Sequence, residues 1–271
     1  MTEACLAGLF GLLIGSFLNV CIYRMPRDLS VVRPGSFCPG CEKPVAWYDN
    51  LPLLSYVVLG GRCRQCAGRI GWRYPLVEML TAVSFFAAVQ VHGVNLVALK
   101  YAIFSALIVG LIFMDLEERI LADELTLGGT LIGLALSLWV RFETGLLHPF
   151  LPPFHQRWLS LAEAAFAAAL TAGALWLVGA LYYRIRKREG LGLGDVKMTA
   201  MIATFLGLQP ALLALLAGSA LGAVTGIVYI FWTRKDAATY ELPFGSFLGV
   251  AALAVAWFAE PMFRWLAGFP A

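Results

Sequence analysis

Residues 98–123 read ALKYAIFSALIVGLIFMDLEERILAD, an apolar run that ends at Met114 and gives way to an acidic turn carrying Asp115, Glu117, Glu118 and Asp123. Apolar residues here fill a continuous stretch instead of an amphipathic stripe. Runs of the same kind recur near 4–23, 76–96, 124–140, 159–183, 196–208, 211–232 and 244–267. Crossing a bilayer's hydrocarbon layer takes roughly 20 apolar residues in a helix, and several of these runs qualify. Of the 271 residues, 60% are hydrophobic and 14% charged, where a soluble domain carries about a quarter charged. The expected fold is an all-α integral membrane protein with about eight transmembrane helices and one cytoplasmic insert.

Two runs need separate treatment. The first has Glu3 ahead of it and no Lys or Arg before it, so the positive region of a signal peptide is missing and a retained helix is expected. Segment 196–208 reaches only about 20 Å at 1.5 Å per residue. It either crosses a thinned bilayer or forms a hairpin with the next span, broken at Gln209-Pro210.

Charge placement sets the expected orientation. Between the first two spans lie Arg24, Arg27, Arg33, Lys43, Arg62, Arg64, Arg69 and Arg73; later clusters are Arg184, Arg186, Lys187 and Arg188, then Arg234 and Lys235. With eight spans all three clusters fall on one side, which the positive-inside rule makes cytoplasmic, and both termini face outward. A re-entrant 196–208 would move Arg234 and Lys235 outside, so the charges favour a full crossing. The Pro- and aromatic-rich segment 141–158, with His148 and His155, reads as an outer membrane-surface loop in preference to a metal site.

Three parts are expected: a first helix (1–23), an insert rich in Pro, Gly, Arg and Cys (24–75), and a polytopic domain (76–271). The insert is too small for a large core, so a cross-link or a metal would help hold it. Cys38-Pro-Gly-Cys41 and Cys63-Arg-Gln-Cys66 supply two thiolate pairs suited to one tetrahedral zinc. A reducing cytoplasm argues against disulfides; a redox dithiol is the other reading. Four thiolates leave zinc no open position, so its expected role is structural. Cys5 and Cys21, in the first helix, read as small buried apolar residues.

Ionisable residues at membrane depth are costly, which makes each a functional candidate. Asp115 follows the third span, and Gly190-Leu-Gly192-Leu-Gly194-Asp195-Val-Lys197 precedes the sixth. In the eight-span topology Asp115 and Asp195 lie at the same cytoplasmic edge and can meet. Two carboxyls within a few Å share one proton. The charged one can take a proton from water while the neutral one donates to a scissile carbonyl, which is the chemistry of an aspartic protease. Gly192 and Gly194 allow close approach of backbone and substrate. The plainer readings are that Asp195 caps the following helix and that residues 115–123 form a solvated turn. GLGLGD lacks the GK[ST] ending and preceding strand of a phosphate loop.

Several motifs together resemble the prepilin peptidase, or type IV leader peptidase, family. They are Gly15-Ser-Phe-Leu-Asn19-Val, Arg24-Met-Pro26, the two CxxC pairs, Asp49-Asn-Leu-Pro-Leu-Leu-Ser-Tyr56, Gly60-Gly61, Arg73-Tyr-Pro-Leu-Val-Glu78, Asp115, the GxGDxK ending at Lys197 and Pro243-Phe-Gly245. The likeness runs over most of the chain in the family's order. It implies an endopeptidase of the bacterial inner membrane that removes the basic leader of prepilins and pseudopilins after a glycine, on the cytoplasmic side. It also implies N-methylation of the new terminus with S-adenosylmethionine. Carried over, the catalytic pair is Asp115 and Asp195, and Gly61 and Glu78 are candidates for the methyl-transfer region. The family commonly has Leu-Pro-Asp where this chain has Leu121-Ala122-Asp123, so Asp123 is the second candidate for the first aspartate. Gly192, Gly194 and Lys197 are secondary site candidates.

The expected partners are membrane substrates and lipid, with no nucleic acid. Three rivals remain: a transporter using Asp115 and Asp195 as a proton relay, a zinc-bearing scaffold, and a GxGD protease with another membrane substrate. The absence of an internal repeat weighs against the first.

Overall fold

The computed structural model describes residues 1–142, 156–188, 190–233 and 242–266, with Gln156 and residues 259–266 described by backbone alone. His148, His155, Arg234 and Lys235 lie outside the described residues. The helices are α1 (Thr2–Arg24), α2 (Leu54–Val58), α3 (Arg73–His92), α4 (Leu96–Glu118), α5 (Asp123–Ser137), α6 (Gln156–Arg186), α7 (Leu193–Leu206), α8 (Leu208–Thr233) and α9 (Phe244–Leu266). Each expected span coincides with one helix, and α2 lies within the insert. Among the described residues extended pairing is limited to two isolated bridges, Phe37 with Pro44 and Arg62 with Arg69.

Helices satisfy their own backbone polar groups, which hydrocarbon demands of any spanning segment. Five of them, α1, α3, α4, α6 and α8, are long and apolar enough to cross a bilayer. The chain is a multi-pass membrane protein. Helices α5 and α7 have 15 and 14 residues, which makes them about 21 to 23 Å long. The break after α7 falls at Gly207, whose φ of +85° is a conformation other residues avoid. Gln209-Pro210, the expected break, sits instead in the first turn of α8, where proline's missing N–H costs nothing.

The chain divides into two compact units, Met1–Met114 and Asp115–Ala271. In the first, α1 packs along α3 with almost no space between backbones. A Cβ on Gly11 would lie 2.8 Å from the Ala82 Cα, and one on Gly15 would lie 2.6 Å from the Glu78 Cα. Small residues four apart are what let two apolar helices close without a hydrophobic driving force. Asn19, one turn further on, donates to the Tyr74 carbonyl at 3.0 Å. The Gly15–Asn19 spacing of the GSFLNV motif is therefore a packing signature. Gly15→Ala is expected to force these helices apart and lower stability by about 1–3 kcal/mol, read as a lower unfolding midpoint in detergent.

Arg24, buried at the end of α1, turns its guanidinium onto the carbonyls of Ser30, Pro34 and Gly35 at 2.8–3.0 Å. That fan of bonds fixes the path of the chain into the first cysteine pair.

In the second unit Gly133 of α5 meets Thr204 and Phe205 of α7. Gly218, Gly222 and Gly226 form one face of α8, and hypothetical Cβ atoms there would meet Leu248, Phe247 and Leu242. The start of α9 is thereby seated against α8.

Candidate active site

Asp115 lies in the last turn of α4 and is 5% exposed. Its Oδ2 accepts two hydrogen bonds from one residue at the start of α9, the Ser246 N–H at 2.6 Å and the Ser246 hydroxyl at 2.8 Å. A helix N-terminus presents free N–H groups and a positive dipole end, which suits a carboxylate. Gly245 makes the approach possible, because a Cβ there would sit 3.2 Å from the Asp115 carboxyl carbon.

Asp195 is the third residue of α7, whose N-cap is Gly192. Its carboxylate turns back to the Gly192 N–H and lies close enough to Asp115 to feel that residue's charge. The return of a third-position carboxylate to the N-cap amide is half of a capping box. Asp195 thus closes the helix start without being the N-cap residue, within range of the charge of Asp115. Leu121 fills the space between the two glycine motifs, since Cβ atoms on Gly194 and Gly245 would each come within 3.0 Å of it.

Asp123 has a different partner. Lys197 Nζ bonds both of its carboxylate oxygens, at 2.7 and 2.9 Å, in a partly exposed ion pair. The residue before it, Ala122, has φ −62° and ψ 133° at the N-cap of α5. Proline's ring fixes φ near that value, so the turn has the shape a Leu-Pro-Asp sequence would give.

In the first unit the two cysteine pairs form matching loops. Each opens with a bridge, Phe37–Pro44 or Arg62–Arg69. In each the N–H of the residue after the second cysteine returns to the carbonyl of the first, Glu42 to Cys38 at 2.8 Å and Ala67 to Cys63 at 2.9 Å. Glu42 and Ala67 also share a left-handed backbone, with φ +57° and +56°. The four Sγ atoms lie within 4.8 Å of one another. Cys38 and Cys66 are 3.8 Å apart at sulfur, which is about the edge of a tetrahedron with 2.3 Å metal–sulfur bonds. The N–H groups of Cys66 and Gln65 aim at the Cys63 sulfur and pull its pKa down to about 7. This donor set fits a structural zinc.

The second loop is tied to the rest of the insert by a two-pronged pair, Arg64 to Asp49, at 2.7 and 2.8 Å. The guanidinium holds the Asp49 carboxyl below its ordinary range. Gly61 has φ +66° and turns the chain against the Tyr56 ring just ahead of Cys63. Glu78 is buried on α3 and accepts the Leu53 N–H at 2.8 Å.

Comparison with known proteins matches residues 9–92 to the Bacterial Peptidase A24 N-terminal domain and residues 101–227 to the Type IV leader peptidase family. The chain belongs to the type IV leader peptidase family. Among its relatives is a prepilin leader peptidase/N-methyltransferase of Myxococcus xanthus, 37% identical over 246 residues, covering 87% of this chain and 69% of that one. Proteins of the same name from Legionella pneumophila (32% identical; 97% and 93% covered) and Neisseria gonorrhoeae (32%; 82% and 81%) are also similar. No solved structure matches the chain.

For this leader peptidase family member, the residues singled out in the sequence separate into two groups. Asp115, Asp195, Gly192, Gly194, Asp123 and Lys197 gather in the second unit; the four cysteines, Gly61 and Glu78 gather in the first. Sequence reading missed Ser246. Its signal was present in Pro243-Phe-Gly-Ser246, where a serine directly follows the glycine that lets α9 approach a carboxyl.

Proposed function

We propose that the protein is an aspartic endopeptidase of the bacterial inner membrane that removes the basic leader of prepilins and pseudopilins after a glycine. The observation that carries this reading is that Leu121 lies against both Gly194, next to Asp195, and Gly245, next to the Ser246 that bonds Asp115. One carboxyl takes a proton from the attacking water; the other donates to the scissile carbonyl. Ser246 positions Asp115, and the Asp123–Lys197 pair braces the start of α5 against α7. The acidic turn at Asp115, Glu117, Glu118 and Asp123 attracts the basic leader, while the substrate's apolar helix lies among the spans. The active site faces the cytoplasm, both termini face outward, and α5, α7 and α9 complete eight spans.

The insert 24–75 carries the second activity, N-methylation of the new terminus with S-adenosylmethionine as methyl donor. Cys38, Cys41, Cys63 and Cys66 hold a zinc that cross-links the two loops and takes no part in chemistry. Residues 76–271 carry the proteolytic machinery.

Mass spectrometry of a prepilin after incubation with purified protein, with and without the methyl donor, tests both activities. A product shortened to just after its leader glycine, heavier by one methylene only when the donor is present, is expected. An uncut substrate would overturn the protease reading; a cut but never heavier product would overturn the methyl-transfer reading alone.

Ser246→Ala removes one of the two bonds onto Asp115 and leaves the backbone N–H in place. Cleavage kcat is expected to fall roughly tenfold, with KM little changed and Ser246→Thr largely restoring it. A KM effect alone would assign Ser246 to substrate binding.

A further inference from the structure

Helix α2 carries an apolar face that the described residues leave uncovered. Leu54, Val57 and Val58 are 58%, 75% and 70% exposed, and their spacing of three and four residues puts them on one side of the helix. The opposite side is turned inward. Ser55 and Tyr56, with Leu59 just past the helix end, line a cavity of the first unit, and the Ser55 hydroxyl donates to the Tyr48 carbonyl at 3.0 Å. So short a helix has little else to fold around, and half of its apolar surface still faces out.

The depth at which α2 sits identifies what meets that face. Leu53, its N-cap, donates its N–H to Glu78. Glu78 is already within α3, about 8 Å along that helix from its start. It packs against Gly15, well inside α1. Asn50 and Pro52, just before α2, share a second cavity of about 320 Å³ with Leu13, Ser16 and Phe17 of α1. The chain therefore dips beside two spanning helices instead of standing off their ends. Leu53 makes the turn at φ +58°, a conformation a leucine holds only where its surroundings determine it. Around it the exposed side chains of the spans are apolar too: Leu13 and Phe17 on α1, Met79 and Val83 on α3. An apolar trio at this level meets acyl chains before any soluble partner.

The charges next to α2 agree. Arg62 and Arg69 follow it, both exposed and joined across one bridge. Trp72, 70% exposed, stands directly before α3, where an indole suits the boundary between hydrocarbon and headgroups. An apolar helix face with basic residues beside it is the pattern of a segment lying in the surface of an anionic bilayer.

We propose that α2 is an interfacial anchor, with Leu54, Val57 and Val58 set in the acyl-chain edge of the leaflet around the ends of α1 and α3, and Arg62 and Arg69 over its anionic headgroups. The insert is then held to the bilayer by its own helix as well as by the two spans that flank it.

A photoreactive benzophenone side chain placed at position 57 or 58 of the full-length protein tests this in vesicles of phosphatidylethanolamine and phosphatidylglycerol. Position 42, an exposed glutamate of the first cysteine loop, is the control. Mass spectrometry after illumination is expected to find lipid adducts at 57 and 58 at least about tenfold more often than at 42, the preference that burying one valine confers. In parallel, the double variant Val57→Asp, Val58→Asp is expected to speed hydrogen exchange of residues 54–59 in the same vesicles by at least about tenfold. Zinc content and leader cleavage report that it is folded. Adducts no more frequent at 57 and 58 than at 42 would overturn the proposal, as would adducts formed with protein in place of lipid, or exchange unchanged in the double variant. The crosslinking introduces no charge, so it decides the question even if the double variant does not fold.

Discussion

Asp115→Asn and Asp195→Asn are each expected to slow prepilin cleavage by roughly a thousand- to ten-thousandfold, the scale of losing a general acid or base. Both variants should still reach the membrane. The amide introduced by Asp115→Asn keeps an oxygen for the Ser246 N–H and hydroxyl, and the α7 N-terminus loses only one partner when Asp195 changes. Asp123→Asn is the control that gives this prediction its edge. It breaks the ion pair with Lys197, which is partly exposed and so worth roughly 0–1 kcal/mol. Its effect on cleavage should stay within about tenfold. Initial rates of leader release from a purified prepilin measure all three. Normal cleavage by the Asp115 or Asp195 variant would sink the paired-carboxyl assignment. An inactive Asp123 variant beside an active Asp115 variant would make Asp123 the first aspartate.

Cys63→Ser is expected to abolish zinc binding and unfold the insert, with methylation lost and cleavage much less affected. The size of the effect follows from what the metal contributes. Binding of a structural zinc by four thiolates is worth about 10–16 kcal/mol in small domains. The insert has little else to replace it: the short helix α2, two isolated bridges and one Arg64–Asp49 pair whose arginine is half exposed. Metal analysis and limited proteolysis between residues 24 and 75 measure the outcome. Unchanged zinc content in the variant would rule out the four-cysteine site. Equal loss of cleavage and methylation would show that the two activities do not separate.

The positions of the helices were legible because hydrocarbon leaves little choice of backbone, and apolar runs near 20 residues announce themselves. Boundaries set by local geometry were less so. A hairpin break at Gln209-Pro210 was one of two readings of segment 196–208, yet a proline is welcome in a helix's first turn, and the chain bends at Gly207 instead. Asp115 and Asp195 could be proposed as a pair from topology alone, since both sit at helix ends on one expected face. Which third residue serves them could not. Ser246 is 131 positions from Asp115, and no local pattern reports so distant a contact. The cysteines were legible by spacing; the shared left-handed turn at Glu42 and Ala67 was not, because neither is a glycine. Asn19 was visible as part of a motif, whereas its unpartnered oxygen emerges only once Tyr74 and Gly15 have claimed the amide nitrogen.

The glycines of α8 carry a consequence for how this protein tolerates sequence drift. Gly218, Gly222 and Gly226 touch the segment from Leu242 to Leu248, which brackets Gly245 and Ser246. A Cβ at Gly218 would lie 2.8 Å from the Leu248 Cα, whereas one at Gly222 would make ordinary contact with Phe247 and one at Gly226 would press on the tip of the Leu242 side chain. A saturation library selected for leader removal should therefore show Gly218 as nearly invariant, with alanine accepted at Gly222 and Gly226. Their outward neighbours Leu216, Val224 and Val228, more than half exposed, should accept almost any apolar residue. Along one helix, the boundary between the two behaviours would trace the seam where inheritance is constrained by catalysis and where it is constrained only by solubility in fat.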